Sequence, residues 1–316
     1  AVAVVAVLVF HTARGVVPGG YLGVSVFFTL SGFLITRLLL AERDANGSIA
    51  YGRFYGRRVR RLLPAQLLCI AGVLVLAATV RGFPAPRLPQ DLFWVGSQLW
   101  NWHQIAAGAD YAKAFAGTGS VGGPFEHFWS LAVEEQFYLL LPLATWFLLR
   151  PSWRGWRRTW RPTRRVVLLA ILATLALPAL AGTVVSANAV YLSTPTRAPE
   201  ILVGCGLAIV AHGSWLEPWR KAIAAVALVA GVLVLSAFVL TGSGSDAWPY
   251  RGLLPLFSLV VAALLLGCLV DGPVRHLLSI CALVALGRVS YGLYLFHWPI
   301  FLAIRSDNTG LDGWGL

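Results

Sequence analysis

Charged side chains are scarce in this chain: Asp, Glu, Lys and Arg together make up 12% of its 316 residues. A soluble domain of this size carries about a quarter charged residues. Methionine is absent altogether, so we expect the sequence to be part of a longer protein. The shortage of charge excludes an ordinary soluble globular domain.

Cysteines are also few, and none of them has the spacing of a metal ligand. All four lie in apolar runs: Cys69, Cys205, Cys268 and Cys281. We therefore expect small packed thiols, with neither a disulfide framework nor a metal site.

Long apolar runs dominate the sequence instead, with 58% hydrophobic residues and a mean hydropathy of +0.74. Runs of about eighteen nearly uncharged residues predict transmembrane helices. Nine apolar segments, the sixth of them short, lie near residues 1–14, 23–41, 64–80, 127–149, 166–186, 199–211, 222–240, 252–270 and 283–304. The sequence predicts an all-α polytopic membrane protein, with residues 1–316 forming a single transmembrane domain.

The basic residues predict how these spans are oriented. The net charge of +12 comes from 25 basic residues, which concentrate in segments 42–63 and 150–165. The positive-inside rule places these segments in the cytoplasm, so odd-numbered spans run outward. Topology accounts for the positive charge, and we expect no nucleic-acid partner. The preference for Arg over Lys suggests a bacterial genome, so we expect a multi-pass protein of the bacterial cell membrane.

Polar residues interrupt the apolar runs, among them His11 in the first span, Glu134 in the fourth and His297 in the ninth. A charge at membrane depth costs about 2.5–3.5 kcal/mol, so it is rare without a function. At 1.5 Å per residue, the predicted orientation places all three within roughly 5–10 Å of one depth. A histidine beside a carboxylate forms a general acid–base pair. The alternatives are simple hydrogen bonds between helices, or pairing of Glu134 with arginine alone.

Arginines precede the third span, and three of them are candidate ligands of an anion: Arg57, Arg58 and Arg61. Arginine binds phosphate with two parallel hydrogen bonds, which favours a site for the phosphates of a cytosolic cofactor. Binding of anionic lipid headgroups is the alternative.

The outer side offers candidate substrate contacts. Trp102 lies in the aromatic-rich segment 81–126, which we predict to cover a sugar, because aromatic faces stack on sugar rings. An interfacial aromatic belt would have the same composition. Arg197 opens the sixth span from the outer side and is predicted to face the same cavity.

Several motifs, in order along the chain, resemble those of the acyltransferase 3 family of integral-membrane O-acyltransferases. They are His11, Gly19-Gly20, Phe27-Phe28 with Ser31-Gly32, Arg58 with Arg61 before Pro64, Trp129-Ser130-Leu131 with Glu134 and Phe137-Tyr138, and Ser290 with Tyr294 before His297-Trp298-Pro299. The family also has an Arg or Lys eleven positions before its first-span histidine, about ten spans, and in some members an esterase-like partner domain. We therefore expect a further span beyond residue 316.

The resemblance implies transfer of an acyl group, commonly acetyl, from cytosolic acyl-CoA to a hydroxyl of a glycan, glycolipid or small secreted acceptor. Acetyl-CoA would be a co-substrate, with no permanently bound cofactor. His11 would be the general base or a transient acyl carrier, and Glu134 would orient it. Ser290 and Tyr294 would line the passage or donate hydrogen bonds to the thioester oxygen. Other implied residues are Arg57, Arg58 and Arg61 for CoA phosphates, and Trp129, His297, Arg197 and Trp102 for the substrate.

Two other function classes remain open from the sequence. The first is a proton-coupled transporter or flippase of a glycan or lipid precursor, in which His11 and Glu134 form a proton relay. No internal repeat of the kind typical of transporters is present. The second is a purely structural membrane scaffold, which would leave the cost of burying Glu134 unexplained.

Overall fold

The computed structural model describes residues 1–13, 15–108, 122–148, 168–213, 216–242 and 247–304. Its regular elements there are all helical: α1 Val2–Thr12, α2 Gly23–Asn46, α3 Tyr51–Thr79, α4 Leu88–Gly96, α5 Trp100–Ala106, α6 Phe128–Leu148, α7 Leu177–Ala181, α8 Ala187–Leu192, α9 Thr194–Val210, α10 Arg220–Leu240, α11 Leu254–Gly267, α12 Pro273–Leu278 and α13 Cys281–Ala303. The predicted basic linker at 150–165, the end of the first span at Arg14 and the polar tail lie outside the described residues.

Each predicted span coincides with helical structure, which confirms the all-α class. Three helical stretches are long and apolar enough to cross a bilayer: Gly20–Asn46, Tyr51–Thr79 and Glu217–Leu240. Shorter apolar helices cover Val2–Thr12, Leu168–Ala181 and Leu254–Gly267. The chain therefore has the helices of a membrane protein, while the count of nine spans stays a prediction.

The arginine-rich segment is helical, which corrects its predicted status as a linker. We expected a connection over 42–63, but α2 continues to Asn46 and α3 already begins at Tyr51. Residues 47–50 separate the two helices, and Gly47 there has a left-handed conformation with φ of 68°. Arginine is a good helix former, so α3 extends past the apolar run in which its start was predicted.

Two glycines bring α2 and α9 into backbone contact. A Cβ atom on Gly32 would fall on the carbonyl oxygen of Ile201, and one on Gly204 would fall on that of Thr29. Membrane helices use such small residues to pack closely where no hydrophobic force draws them together. This pair forms the centre of the helical packing, with α11 against both members and α1 and α6 against α2.

The segment predicted to cover a sugar contains α4 and α5, and α5 packs against α6 and α8. Trp100, Asn101 and Gln104 of α5 are buried. Two aromatic rings of this segment stack on each other: those of Trp94 and His103 have centroids 5.0 Å apart and are nearly parallel. A role in covering a sugar stays a prediction.

The cysteines are free thiols, as predicted. Cys69 and Cys205 are buried and Cys268 is partly buried, but Cys281 is exposed. The expectation of a packed thiol was therefore wrong at Cys281, which is the first residue of α13.

Candidate active site

Three histidines from separate parts of the chain meet at one end of the helical packing, and we refer to them as the histidine cluster. His11 lies in the last turn of α1, His127 directly precedes α6, and His297 lies in the second half of α13. The ring centroid of His297 is 5.0 Å from that of His11 and 5.2 Å from that of His127. His127 and His297 are buried.

The hydrogen bonds fix the tautomers of neutral His11 and His297. Nδ1 of His297 bonds the carbonyl oxygen of Tyr294 and so must carry the proton. Its Nε2 is then the acceptor of the 3.0 Å bond to Nδ1 of His11. His11 consequently has its proton on Nδ1 and its lone pair on Nε2. The pair thus resembles a histidine oriented by a second acceptor, the arrangement of a general base.

A backbone carbonyl also holds His127, as one holds His297, but through the other ring nitrogen. Its Nε2 donates to the carbonyl oxygen of Leu295 at 2.9 Å, which leaves the lone pair on Nδ1. That atom has no hydrogen-bond partner among the residues that the structure describes. His127 was not among the predicted site residues, because a single histidine before a span is weak evidence of a catalytic role.

Tyr294 links α13 to the start of α6. Its hydroxyl is 3.2 Å from the carbonyl oxygen of His127, and it forms a short hydrogen bond with the hydroxyl of Ser130. Ser290, predicted to act beside it, donates instead to the carbonyl oxygen of Gly287 in its own helix at 2.8 Å. Tyr294 therefore lies at the histidine cluster, while Ser290 is tied within α13.

The relative directions of three helices agree with the predicted topology. His11 and His297 lie towards the carboxyl ends of α1 and α13, whereas His127 lies at the amino end of α6. The first and ninth spans therefore run alike and the fourth runs opposite. The expectation that His11 and His297 share one depth is confirmed by their contact.

Glu134 does not take the predicted position beside His11. Its carboxylate accepts a short hydrogen bond from the hydroxyl of Tyr138, one turn further along α6. In the described part of the chain, no ion pair or hydrogen bond joins Glu134 to His11. Seven residues separate His127 from Glu134, which places the carboxylate about 10 Å along the helix. The position beside His11 that was predicted for Glu134 is occupied by His297.

A second group of polar residues surrounds Tyr138, and we refer to Ser31, Arg58, Glu134 and Tyr138 as the tyrosine cluster. The hydroxyl of Tyr138 is 2.7 Å from that of Ser31 on α2. The guanidinium of Arg58 on α3 lies 3.1 Å from the ring centroid of Tyr138. Three motifs that are distant in sequence therefore meet here. The spacing of Glu134 and Tyr138 could have shown that both lie on one face of α6.

The three arginines predicted to hold an anion face different surroundings. Arg57 forms an ion pair with Glu42 at 3.2 Å and has a side chain 55% exposed. Arg58 turns inward over Tyr138, and Arg61 is exposed. Arg58 and Arg61 are three residues apart and lie on neighbouring faces of α3, so these two remain candidates for one anion.

Two of the predicted substrate contacts are fully buried. Arg197 forms an ion pair with Glu200 at 3.1 Å and donates to the hydroxyl of Ser25 at 3.2 Å. Its guanidinium lies 5.4 Å from the ring centroid of Trp129. Neither Trp129 nor Arg197 presents surface to a substrate, since both are 0% exposed. They form part of the packing between α2, α6 and α9.

Trp102 is the accessible member of that predicted set. Its side chain is 40% exposed, and its indole nitrogen lies 3.4 Å from Oε1 of Gln136. Gln136 also accepts a hydrogen bond from Thr194 and donates to the carbonyl oxygen of Gln98 at 2.8 Å. The indole therefore lies at the edge of an amide network that joins α5, α6 and α9.

Among the described residues between α3 and α6, Asp91 and Glu126 carry carboxyl groups, and both lie outside the predicted spans. Partial burial raises the pKa of Glu126 to about 7, against the hydrogen bonds that it accepts from Gly123 and Gln104. Burial also raises the pKa of Asp91, and the positive charges of His103 and Arg87 oppose this. No group of three or more potential ligands suitable for a metal ion occurs in the described ranges.

Comparison with protein families decides the classification. The model of a family described as an acyltransferase domain matches residues 1–315. The chain belongs to the acyltransferase 3 family. Except for His127, the residues of the histidine and tyrosine clusters belong to the motifs that resemble those of this family.

Curated relatives of this acyltransferase domain carry related names. The O-acetyltransferase OatA of Staphylococcus aureus is 32% identical over 97% of this chain and 50% of its own length. The peptidoglycan O-acetyltransferase OatA of Listeria monocytogenes is 33% identical over 95% of this chain and 48% of its own. The putative peptidoglycan O-acetyltransferase YrhL of Bacillus subtilis is 32% identical over 96% of this chain and 47% of its own length. The chain thus spans about half the length of these relatives. No solved structure matches it.

Proposed function

We propose that this chain is a multi-pass domain of a bacterial cell membrane that transfers an acetyl group from cytosolic acetyl-CoA to a hydroxyl of peptidoglycan. The contact between His11 and His297 carries the proposal, because it leaves Nε2 of His11 as an oriented base in an acyltransferase domain. The names of the relatives from Staphylococcus, Listeria and Bacillus support the acetyl group and the acceptor.

In the proposed reaction, Nε2 of His11 removes the proton from the acceptor hydroxyl. The hydroxyl oxygen attacks the carbonyl carbon of the thioester, the carbon–sulfur bond breaks, and the departing thiolate takes the proton from His11. His297 stabilises the charged intermediate of His11 by accepting its Nδ1 proton in a hydrogen bond. Tyr294 keeps α13 and α6 together at this point. A transient acyl group on Nε2 of His11 would use the same tautomer.

The donor would approach from the opposite end of α6. Arg58 and Arg61 lie near the amino end of α3, where the basic segment predicts the cytoplasmic surface. We propose that their guanidinium groups hold phosphates of CoA. In this proposal the Tyr138 ring holds Arg58, Glu134 binds the Tyr138 hydroxyl, and neither residue takes part in proton transfer.

Membranes containing the protein, radiolabelled acetyl-CoA and a peptidoglycan fragment test this proposal. We expect labelled acceptor and free CoA, and a loss of about 10²- to 10⁴-fold in His11→Ala, as for other general bases. His276→Ala is the matched control, because His276 lies on α12 in an exposed pair with Asp271.

Full turnover by His11→Ala would overturn the assignment of the base. Failure of the unaltered protein to label any acceptor from acetyl-CoA would overturn the proposed donor. Movement of the acceptor across the membrane without label would favour the transporter.

A further inference from the structure

A continuous set of contacts connects Glu126 to the proposed base. The carboxylate of Glu126 accepts a hydrogen bond from the backbone N–H of Gly123 at 3.1 Å. The carbonyl oxygen of Gly123 accepts one from the indole of Trp298 at 3.0 Å. The Trp298 ring in turn lies against His11, with centroids 5.3 Å apart. Gly123 thus joins the carboxylate to the ring that packs on His11.

The other oxygen of Glu126 is held from α5. Nε2 of Gln104 donates to it in a short hydrogen bond, and Oε1 of Gln104 is buried without a hydrogen-bond partner in the described ranges. If the amide rotated, its oxygen would instead accept a hydrogen bond from the O–H of a neutral Glu126. Gln104 can therefore accommodate both charge states of the carboxyl group, but through different arrangements.

We propose that Glu126 is a positioning residue for His11, and that its ionised form holds the turn at 122–126 so that Trp298 keeps the His11 ring in place. This inference rests on the proposed function. Hydrogen bonds from Gly123 and Gln104 are stronger to a carboxylate than to a neutral carboxyl group. Loss of the charge weakens these two hydrogen bonds and with them the orientation of His11, although it also removes the free-energy cost of burying the charge. A misplacement of about 1 Å at a reacting group costs up to about 100-fold in rate.

The groups around Glu126 are suited to a response near neutral pH. Asp91 on α4 faces it across Gly123, and a Cβ atom on that glycine would lie 3.7 Å from the Asp91 carboxylate. Burial, and to a smaller extent the charge of Asp91, raises the pKa of Glu126 to about 7. His103 and Arg87 act on Asp91 from α5 and from the residue before α4. His127 follows in the chain, and His11 and His297 lie beyond Trp298.

The pH profile of kcat tests the proposal. In the unaltered protein, acyl transfer should rise by about tenfold as Glu126 ionises around neutral pH. Glu126→Gln keeps the size of the side chain and removes its titration, so we expect this rise to disappear. Glu217→Gln is the matched control, since Glu217 is 77% exposed and pairs with Arg220 at the start of α10.

Two further variants distinguish a role of Glu126 in positioning His11 from a general disturbance of the fold. Gln104→Ala removes a donor to the carboxylate, so the rise should move to higher pH. Trp298→Phe breaks the connection to His11, so adding Glu126→Gln to it should cause no further change in the profile. An unchanged profile in Glu126→Gln, or effects of Trp298→Phe and Glu126→Gln that simply multiply, would overturn the proposal.

Infrared titration of the carboxyl group distinguishes this proposal from the proposed function. The band that Glu126→Gln removes should titrate near neutral pH, and its midpoint should change in Trp298→Phe. If the protein lacks acyl transfer but shows this change, the proposed function fails and the contact to Trp298 stands. An unchanged midpoint would overturn the contact by itself.

Discussion

The histidine cluster and the tyrosine cluster lie about 10 Å apart along α6 and differ in charge. In the first, a hydrogen bond joins the rings of His11 and His297, and backbone carbonyls accept hydrogen bonds from His297 and His127. A guanidinium, a carboxylate and a phenol meet in the second. This difference agrees with the proposed function, in which proton transfer at His11 is kept apart from the charged groups around Tyr138, since a carboxylate beside His11 would also bring its own cost of burial.

The largest effect should come from the contact that defines the histidine cluster. His297→Phe removes the acceptor that sets the His11 tautomer, so we expect kcat to fall by about 10²- to 10⁴-fold. His297→Gln offers an amide oxygen to the same Nδ1–H and should retain more activity. Rates of acetyl transfer measure both variants. Equal rates in the two would mean that His297 acts through packing alone.

The next effect concerns how protein stability depends on pH. It comes from Glu126, the carboxyl group near the histidine cluster, and not from Glu134 of the tyrosine cluster. The pKa of Glu126 is raised from an ordinary 4.5 to about 7, so the folded protein holds this proton to higher pH than the unfolded chain. Its contribution to the free energy of unfolding therefore falls as pH rises from about 4.5 to 7. A pKa change of this size corresponds to about 3 kcal/mol.

Thermal unfolding in detergent measures this contribution. Glu126→Gln should unfold like the unaltered protein at the acidic end of the range and at a higher temperature above neutral pH. A constant difference between the two across the range would contradict the assignment. Glu217→Gln should follow the unaltered protein throughout, because its carboxylate is exposed.

A smaller effect is expected from the packing that positions Ser31 in the tyrosine cluster. Gly32→Ala would place a Cβ atom on the backbone of α9, which we expect to destabilise the protein by about 1–3 kcal/mol. Gly72→Ala on α3 is the matched control, since a Cβ atom there meets nothing within 4 Å. This control should be neutral or gain up to about 1 kcal/mol. Equal unfolding temperatures for both variants would contradict the close contact.

The smallest effect should be confined to the donor. Arg58→Ala removes one proposed phosphate ligand, so we expect the KM for acetyl-CoA to rise about tenfold with little change in kcat. Arg53→Ala, an exposed arginine of the same helix, is the control. A fall in kcat at unchanged KM would place Arg58 in the chemical step and remove the distinction between the two clusters.

Depth was the property of the site that the sequence could predict. The distance of a residue from its span end gives its position along the membrane normal, and this is why His11 and His297 were expected at one level. Their contact confirms it. The motifs quoted for the family also predicted which helices contribute polar groups, since Ser31, Arg58 and Tyr138 all belong to them.

The rotation of each helix could not be predicted. Lipid-facing and core-facing residues are both apolar in a membrane, so the pattern does not reveal which face points inward. Glu134 was therefore placed at a depth near His11 without knowledge that it faces Tyr138. The same limit applies to Arg197 and Trp129, which were expected to face a cavity but are enclosed by neighbouring helices.

The length of α3 has a consequence for the proposed binding of acetyl-CoA. Its 29 residues extend about 43 Å, beyond the roughly 30 Å of a hydrocarbon core, and the arginines occupy one end of this helix. A flexible loop would have to become ordered around each incoming anion and would lose conformational entropy. Arginines on a helix have already lost that backbone freedom during folding, so the proposed donor would meet a preorganised surface.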